Sequence, residues 1–174
     1  MFIDESGFML QPVRRRTWAP RGRTPVQKSW DRRDRLSVEC ALTVSPRRRR
    51  LGLYFRIHDH NIRFAETLGF LTLVHGHLGR KAIVVLDRLN VHRKAIRILG
   101  ETHPDWFEAE WLPPYAPELN PVEQVWNHAK YSDLANFIPD DVDHLHREVA
   151  TSIRHQRTRP SLLRSFLKHA GLGL

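Results

Sequence analysis

Residues 82–92 read AIVVLDRLNVH. Five consecutive apolar residues, three of them β-branched, end at an acid, Asp87. A run that is apolar on both faces suits a central strand covered on both sides. Behind it, VHRKAIRILGE (91–101) reads as a short helix. In WFEAEWL (106–112), Trp106, Glu108 and Glu110 alternate with Phe107, Ala109 and Trp111, the period of a strand. A proline-rich loop follows, then a helix from Asn120 to about Ala135, another over about 140–156, and a last short helix in SLLRSFLKHAG that closes at Gly171. Upstream, NIRFAETLGFLTLVHGHL (61–78) fits a helix capped by Asn61, with Ile62, Ala65, Leu68, Leu71 and Leu73 as its apolar face. LSVECALTV (36–44) and LGLYFRI (51–57), joined by SPRRRR, form an antiparallel hairpin. MFIDE is a short first strand, and residues 9–35, with Pro12, Pro20, Gly22 and Pro25, favour hairpins and loops. The order strand, hairpin, helix, strand, helix, strand, helices describes an α/β fold: a mixed sheet with helices on its faces.

A chain of 174 residues is one ordinary domain. With 41% hydrophobic and 27% charged residues it can bury a core, which argues against disorder and coiled coil. One cysteine, Cys40, excludes an internal disulfide framework and a cysteine-rich zinc site. No stretch reaches the roughly 18 apolar residues of a membrane span. The acidic pair in MFIDESGF stands where a signal peptide would be basic, so a soluble intracellular protein is expected.

The charge is uneven. The net value is +9, with a pI near 10.5. Residues 1–60 hold 14 basic and 6 acidic side chains, whereas residues 61–140 hold 8 and 10. The excess sits at Arg14, Arg15, Arg16, Arg21, Arg23, Arg32, Arg33 and Arg35, and in RRRR at 47–50. Arginine's planar fork suits phosphate, and a concentrated basic face draws a polyanion by counterion release; a solvated surface is the plainer alternative. Trp18 is a candidate stacking platform in this segment, against a packed hairpin aromatic.

Three acids stand at strand ends or turns: Asp4 at the end of the first strand, Asp87 at the end of the buried one, and Glu123 at the start of the helix after the last. Carboxylates converging at such places repel one another. Divalent cations relieve that repulsion, and hard oxygen ligands select Mg²⁺ or Mn²⁺. Each acid also has a plainer role. Asp87 suits a turn in DRLN. Glu123 is three residues after Asn120 in NPVE, a capping-box spacing. Asp4 and Glu5 point to opposite faces of a strand, so only one enters a shared site while the other is solvated or paired with arginine.

LPPYAPELNPVEQVWNHAK (112–130) separates two faces of the helix it starts. Val122, Val125, Trp126 and Ala129 form a buried stripe; Glu123, Asn127 and Lys130 form a polar one. Lys130 can then touch a phosphate beside Glu123, or be a solvated lysine. His58, Asp59 and His60 cluster, as do His75 and His77, without zinc spacing. His92 is either close to the Asp87 site or simply a histidine at a helix start.

FIDESGF, RTWAPRGRTPV, AIVVLDRLNVH and LPPYAPELNPVEQVW, with LANFIPDDVDHL and RPSLLRSFLKHAGLGL at the end, resemble the DDE transposases of mariner-like bacterial insertion sequences. The resemblance implies an RNase H-like five-stranded mixed sheet with helices on both faces. It implies Asp4, Asp87 and Glu123 as catalytic residues and ligands of two Mg²⁺ ions, for which Mn²⁺ may substitute. Between Asp87 and Glu123 lie 35 residues, close to the family's 34. The implied activity is DNA strand cleavage and strand transfer on transposon ends and target DNA, by a homodimer in the bacterial cytoplasm, associated with the nucleoid. Arg14, Arg15, Arg16, Trp18, Arg21, Arg23 and Lys130 are the expected DNA contacts. Two departures stand out. Arg88 follows the second Asp where the family commonly has Asn. Only three residues precede Asp4, so helix-turn-helix domains are expected to be absent from a single domain over 1–174, and a partner polypeptide from an overlapping frame could supply them. A partial remnant that binds DNA without cutting it and an RNase H-fold structure-selective nuclease are the alternatives.

Overall fold

The computed structural model describes residues 1–26, 28 and 34–173. Arg32 and Arg33 of the basic segment lie outside the described residues. The five strands are β1 (Phe2–Met9), β2 (Arg35–Val44), β3 (Leu51–His58), β4 (Ala82–Leu86) and β5 (Phe107–Trp111). They form one sheet in the order β3-β2-β1-β4-β5. β1, β2 and β3 are antiparallel neighbours, while β4 runs parallel to β1 and to β5. The helices are α1 (Phe64–Leu78), α2 (Asn90–Thr102), α3 (Val122–His128), α4 (Val142–Arg157) and α5 (Pro160–His169). A π-helical turn, Ala129–Asp133, extends α3. None of the helices is long and apolar enough to cross a membrane among the described residues.

Strand alternation sends two sets of side chains to two cores. Ile3, Ala41, Val84 and Leu86 pack against Phe70, Leu71 and Val74 of α1 and Ala95 and Leu99 of α2. Phe8, Leu36, Val38, Cys40 and Leu42 pack on the other face against Val122, Val125 and Trp126 of α3, Val149 and Ile153 of α4, and Leu163 and Leu167 of α5. Helices therefore cover both faces of the mixed sheet, as expected.

Several local expectations change. β1 continues through Met9, because β2 offers it a ladder from Phe2↔Leu42 to Met9↔Arg35. β4 is interior but not central, lying between β1 and the edge strand β5, and Ile83 is 55% exposed, so one of its faces is only partly covered. α1 is entered at Arg63, not Asn61: Glu66 accepts a hydrogen bond from the Arg63 backbone N–H (2.9 Å), and Asn61 instead accepts from Arg35. The buried stripe of α1 is Thr67, Phe70, Leu71 and Val74; Leu73, expected on that stripe, points outward. α1 ends where Gly79 takes φ +60 and returns its N–H to the His75 carbonyl (2.9 Å), a conformation glycine reaches without a Cβ penalty.

Candidate active site

Asp4 lies inside β1 on the face covered by α3. Asp87 is the first residue after β4, the parallel neighbour of β1. Glu123 is in the first turn of α3. Asn120 joins these parts. Its Oδ1 accepts from the Val122 N–H (3.2 Å), which caps α3, and its Nδ2 donates to the Ile3 carbonyl (3.0 Å), which ties the helix start to β1 one residue before Asp4. The Asn120 N–H goes to the Pro117 carbonyl (2.9 Å) rather than to Glu123. The capping box is therefore not closed, and the Glu123 carboxylate is not spent on its own helix.

The charges of Glu123 and Asp87 both reach Asp4. Burial pushes the Asp4 carboxyl up to about 7; the charges of Glu123 and Asp87 push the same way, against hydrogen bonds from Trp126 and from the Glu5 backbone. Glu123 is raised by burial and opposed by Lys130. Asp87 behaves differently: burial acts upward, but bonds from His92 and the Leu89 N–H outweigh it and the carboxyl falls below its usual value. The turn expected at DRLN exists, with the Leu89 N–H donating to Asp87 Oδ1 at 3.0 Å.

Each Asp has one oxygen already engaged. Trp126 Nε1 donates to Asp4 Oδ2 (2.8 Å), and His92 Nδ1 lies 2.5 Å from Asp87 Oδ1. Asp4 Oδ1, Asp87 Oδ2 and both oxygens of Glu123 accept no side-chain bond among the described residues. As they stand, no three His, Cys, Asp or Glu side chains among the described residues are gathered tightly enough to ligate one ion. Asp4 and Asp87 each turn one oxygen toward a protein donor, whereas Glu123 does not. The donor set of hard oxygens nonetheless fits Mg²⁺ or Mn²⁺, and the raised Asp4 carboxyl marks an unrelieved negative charge that a divalent cation would offset.

Lys130 belongs to this site rather than to solvent. Its Nζ donates to Ser6 Oγ (2.6 Å), sits 5.1 Å from the Phe8 ring centroid, and interacts with Glu123 and Asp4; burial lowers its pKa against their pull. The buried and polar stripes of α3 are arranged as expected. The basic segment is pinned beside the same helix. Val13 bridges to Ala135, the Arg15 N–H donates to Asn136 Oδ1 (2.8 Å), and the Arg15 guanidinium lies over Tyr131 at 5.6 Å. Arg14, Arg16, Arg21 and Arg23 are exposed. Trp18 is 100% exposed, which corrects the packed-aromatic alternative: among the described residues no hydrophobic layer lies over the chain at this point.

Two site neighbours, Glu5 and Glu39, escape sequence reading, and of His92, expected either beside Asp87 or simply at a helix start, the structure selects the first. Glu5, expected to be solvated or paired with arginine, instead faces His92 Nε2 at 2.9 Å. His92 is 1% exposed. Burial alone would lower its pKa, yet the bond to Asp87 and the adjoining carboxylate of Glu5 raise it to about 9. Glu39, also 1% exposed, has neither carboxylate oxygen hydrogen-bonded among the described residues. A signal for Glu39 was available: in LSVECALTV it is in phase with Ser37, Ala41 and Thr43, the small and polar face of the strand. The other histidines are structural or superficial. His75 stacks on Trp106 at 4.2 Å, and His60 bonds Asp59 at the surface.

The geometry matches known proteins. The family described as DDE superfamily endonuclease matches residues 1–146. An uncharacterized protein of Sinorhizobium fredii, y4pE/y4sA, is 36% identical over 66 residues, covering 37% of this chain and 45% of that protein. Among solved structures, the Mos1 mariner paired-end complex with Mn has a TM-score of 0.60 at 14% identity, covering 99% of this chain and 56% of that one. The Mos1 transposase paired-end complex with left transposon end has a TM-score of 0.59 at 14% identity, covering 98% and 55%. At such identities the likeness is one of fold, the RNase H-like mixed sheet. The chain spans about half the length of these relatives. With the profile match running from β1 into α4, across all three acids, the chain belongs to the DDE superfamily endonucleases.

Proposed function

We propose that this chain is the catalytic unit of a transposase, cutting DNA at transposon ends and joining it to target DNA. Asp4, Asp87 and Glu123 hold two divalent ions in this reading, Mg²⁺ with Mn²⁺ as a substitute. One observation supports it: β1 and β4 are parallel neighbours, and Asn120 and Trp126 bind the start of α3 to β1, so the elements that carry the three acids meet at one edge of the sheet. When bound, the ions supply Lewis acidity and activate the attacking oxygen. The chain's residues do the rest. The acids fix where the charge sits, with Trp126 and His92 each holding one carboxylate oxygen. Lys130, tethered to Ser6, meets a phosphate of the bound strand. Arg14, Arg15, Arg16, Arg21 and Arg23 hold the sugar–phosphate backbone, and exposed Trp18 offers a base a stacking surface. Hydrolysis of a phosphodiester leaves a 3′-OH, and that hydroxyl displaces a second phosphodiester in line. Neither step needs a covalent enzyme–DNA intermediate. A homodimer on DNA and a helix-turn-helix polypeptide that recognises transposon ends are the partners this activity calls for.

The testing experiment compares the chain with its Asp87→Asn variant on labelled duplex DNA. The chain should nick DNA only with Mg²⁺ or Mn²⁺ and leave 3′-OH ends. The variant should lose cleavage by more than about 100-fold, since even an outer partner of a metal ligand is worth about 10–100-fold, while its DNA affinity stays the same. Unchanged cleavage by the variant overturns the assignment. Binding should also be electrostatic. With about six phosphate contacts, affinity should drop about a thousandfold between about 50 and 200 mM salt, with little preference for sequence. Filter binding across that range would reveal a flat response if the arginines were bystanders.

A further inference from the structure

Asp87 is held from behind the sheet. Asp4 and Ser6 face α3, whereas Glu5, between them, faces the layer of α1 and α2. His92, in the first turn of α2, lies between the two sides. Its Nδ1 is 2.5 Å from Asp87 Oδ1, and its Nε2 is 2.9 Å from Glu5 Oε1, off the line of an ideal hydrogen bond. The ring is 1% exposed, so its orientation is set by packing and by these two carboxylates. Nδ1 is thereby bonded to Asp87, and Nε2 is buried against the Glu5 carboxylate.

Resting on the endonuclease reading of the site, we propose that His92 is a positioning residue that ties Asp87 to Glu5. It occupies Asp87 Oδ1 so that only Oδ2 is presented to a divalent ion. Without His92, Asp87, one residue beyond its strand, would keep only the Leu89 N–H on Oδ1 and sample more arrangements of its oxygens, which weakens ion binding through lost preorganisation. Glu5 anchors the far side of the ring to β1, the strand that also carries Asp4. Two of the acids are thus indexed to the same strand.

The experiment uses the full chain and Mn²⁺ alone as probe, with calorimetry for the dissociation constant and DNA nicking against Mn²⁺ concentration as a second readout. His92→Asn can still donate to Asp87 from the position of Nδ1. His92→Gln reaches toward Glu5 from the position of Nε2 but loses Asp87, and His92→Leu loses both. Weakening of Mn²⁺ binding by about 10–100-fold is expected in His92→Leu and His92→Gln, with most of it recovered in His92→Asn. In nicking, the half-saturating Mn²⁺ concentration should rise more than the maximal rate falls. Equal weakening in Asn and Gln variants, or binding unchanged in both Gln and Leu variants, overturns the proposal. Should His92→Leu fail to fold, the Asn–Gln comparison decides alone. If wild-type chain shows no Mn²⁺ binding that depends on Asp87, the endonuclease reading fails and the tie is judged in metal-free protein by NMR. A slowly exchanging His92 Nδ1 proton lost in Asp87→Ala sustains it; one unaffected by that change refutes it.

Discussion

Replacing Asp4 by Asn is expected to abolish cleavage and, without divalent ions at pH 8, to make the chain more stable. The two effects have one cause. Burial and the nearby charges of Glu123 and Asp87 disfavour the ionised carboxylate, moving the pKa from 3.8 to about 7. The sign follows from linkage. A carboxyl whose folded pKa lies above its unfolded value binds its proton more tightly in the fold, so stability is lost as pH rises from about 4 to about 7 and stays lost above. At 1.36 kcal/mol per pH unit the displacement amounts to at most about 4 kcal/mol. Asparagine keeps the shape and can still accept from Trp126 Nε1, but it carries no charge and is a poor ligand for Mg²⁺. Melting temperatures should therefore agree at pH 4 and diverge toward pH 8, by up to about 10 °C for a chain of this length. Adding Mn²⁺ should raise the melting point of the wild-type chain and leave the variant unchanged. A variant that melts lower than wild type at pH 8 would show that Asp4 is satisfied by its neighbours and needs no cation.

Glu39→Gln should give a comparable stabilisation with no loss of a metal ligand. Glu39 sits on the sheet face opposite Asp4, next to Glu5 in register. Its oxygens are unpaired among the described residues, and the nearest histidine nitrogen, His58 Nε2, is 3.9 Å away. Burial, reinforced by the charge of Glu5, moves its carboxyl from 4.5 to about 8; Arg56 pulls only partly the other way. The folded state thus favours neutral Glu39. The destabilisation is absent below about pH 4.5, grows between there and pH 8, and is complete above. Taken at the same 1.36 kcal/mol per pH unit, it reaches about 5 kcal/mol. Glutamine resembles the neutral acid and carries a similar unmet hydrogen-bonding demand, so the two proteins should unfold alike at pH 4.5 and differ by several kcal/mol at pH 8.5 in urea titrations. Identical pH profiles would mean that Glu39 is ionised and solvated in the fold.

Much of the architecture is readable from local pattern. The apolar run 82–86, the alternation in 106–112, the hairpin around SPRRRR and the two faces of the helix after NPVE each appear in the structure close to the expected place. These features depend on spacing along one segment, and spacing is written in the chain. Boundaries set by a partner segment are less legible. β1 reaches Met9 because β2 pairs with it, and the buried stripe of α1 follows Phe70 and Val74 because the sheet beneath selects them.

The three acids and Lys130 are proposed from motif, charge and resemblance, each of which marks a position in one dimension. What holds them could not be read that way. Trp126 binds Asp4 across 122 residues, Asn120 binds Ile3 across 117, and His92 finds Glu5 on the far face of the sheet. Nothing in the neighbourhood of these residues in the chain specifies such partners. They arise when parallel β1 and β4 bring two loops to one rim and the helices close over both faces, so that polar atoms removed from water must find one another.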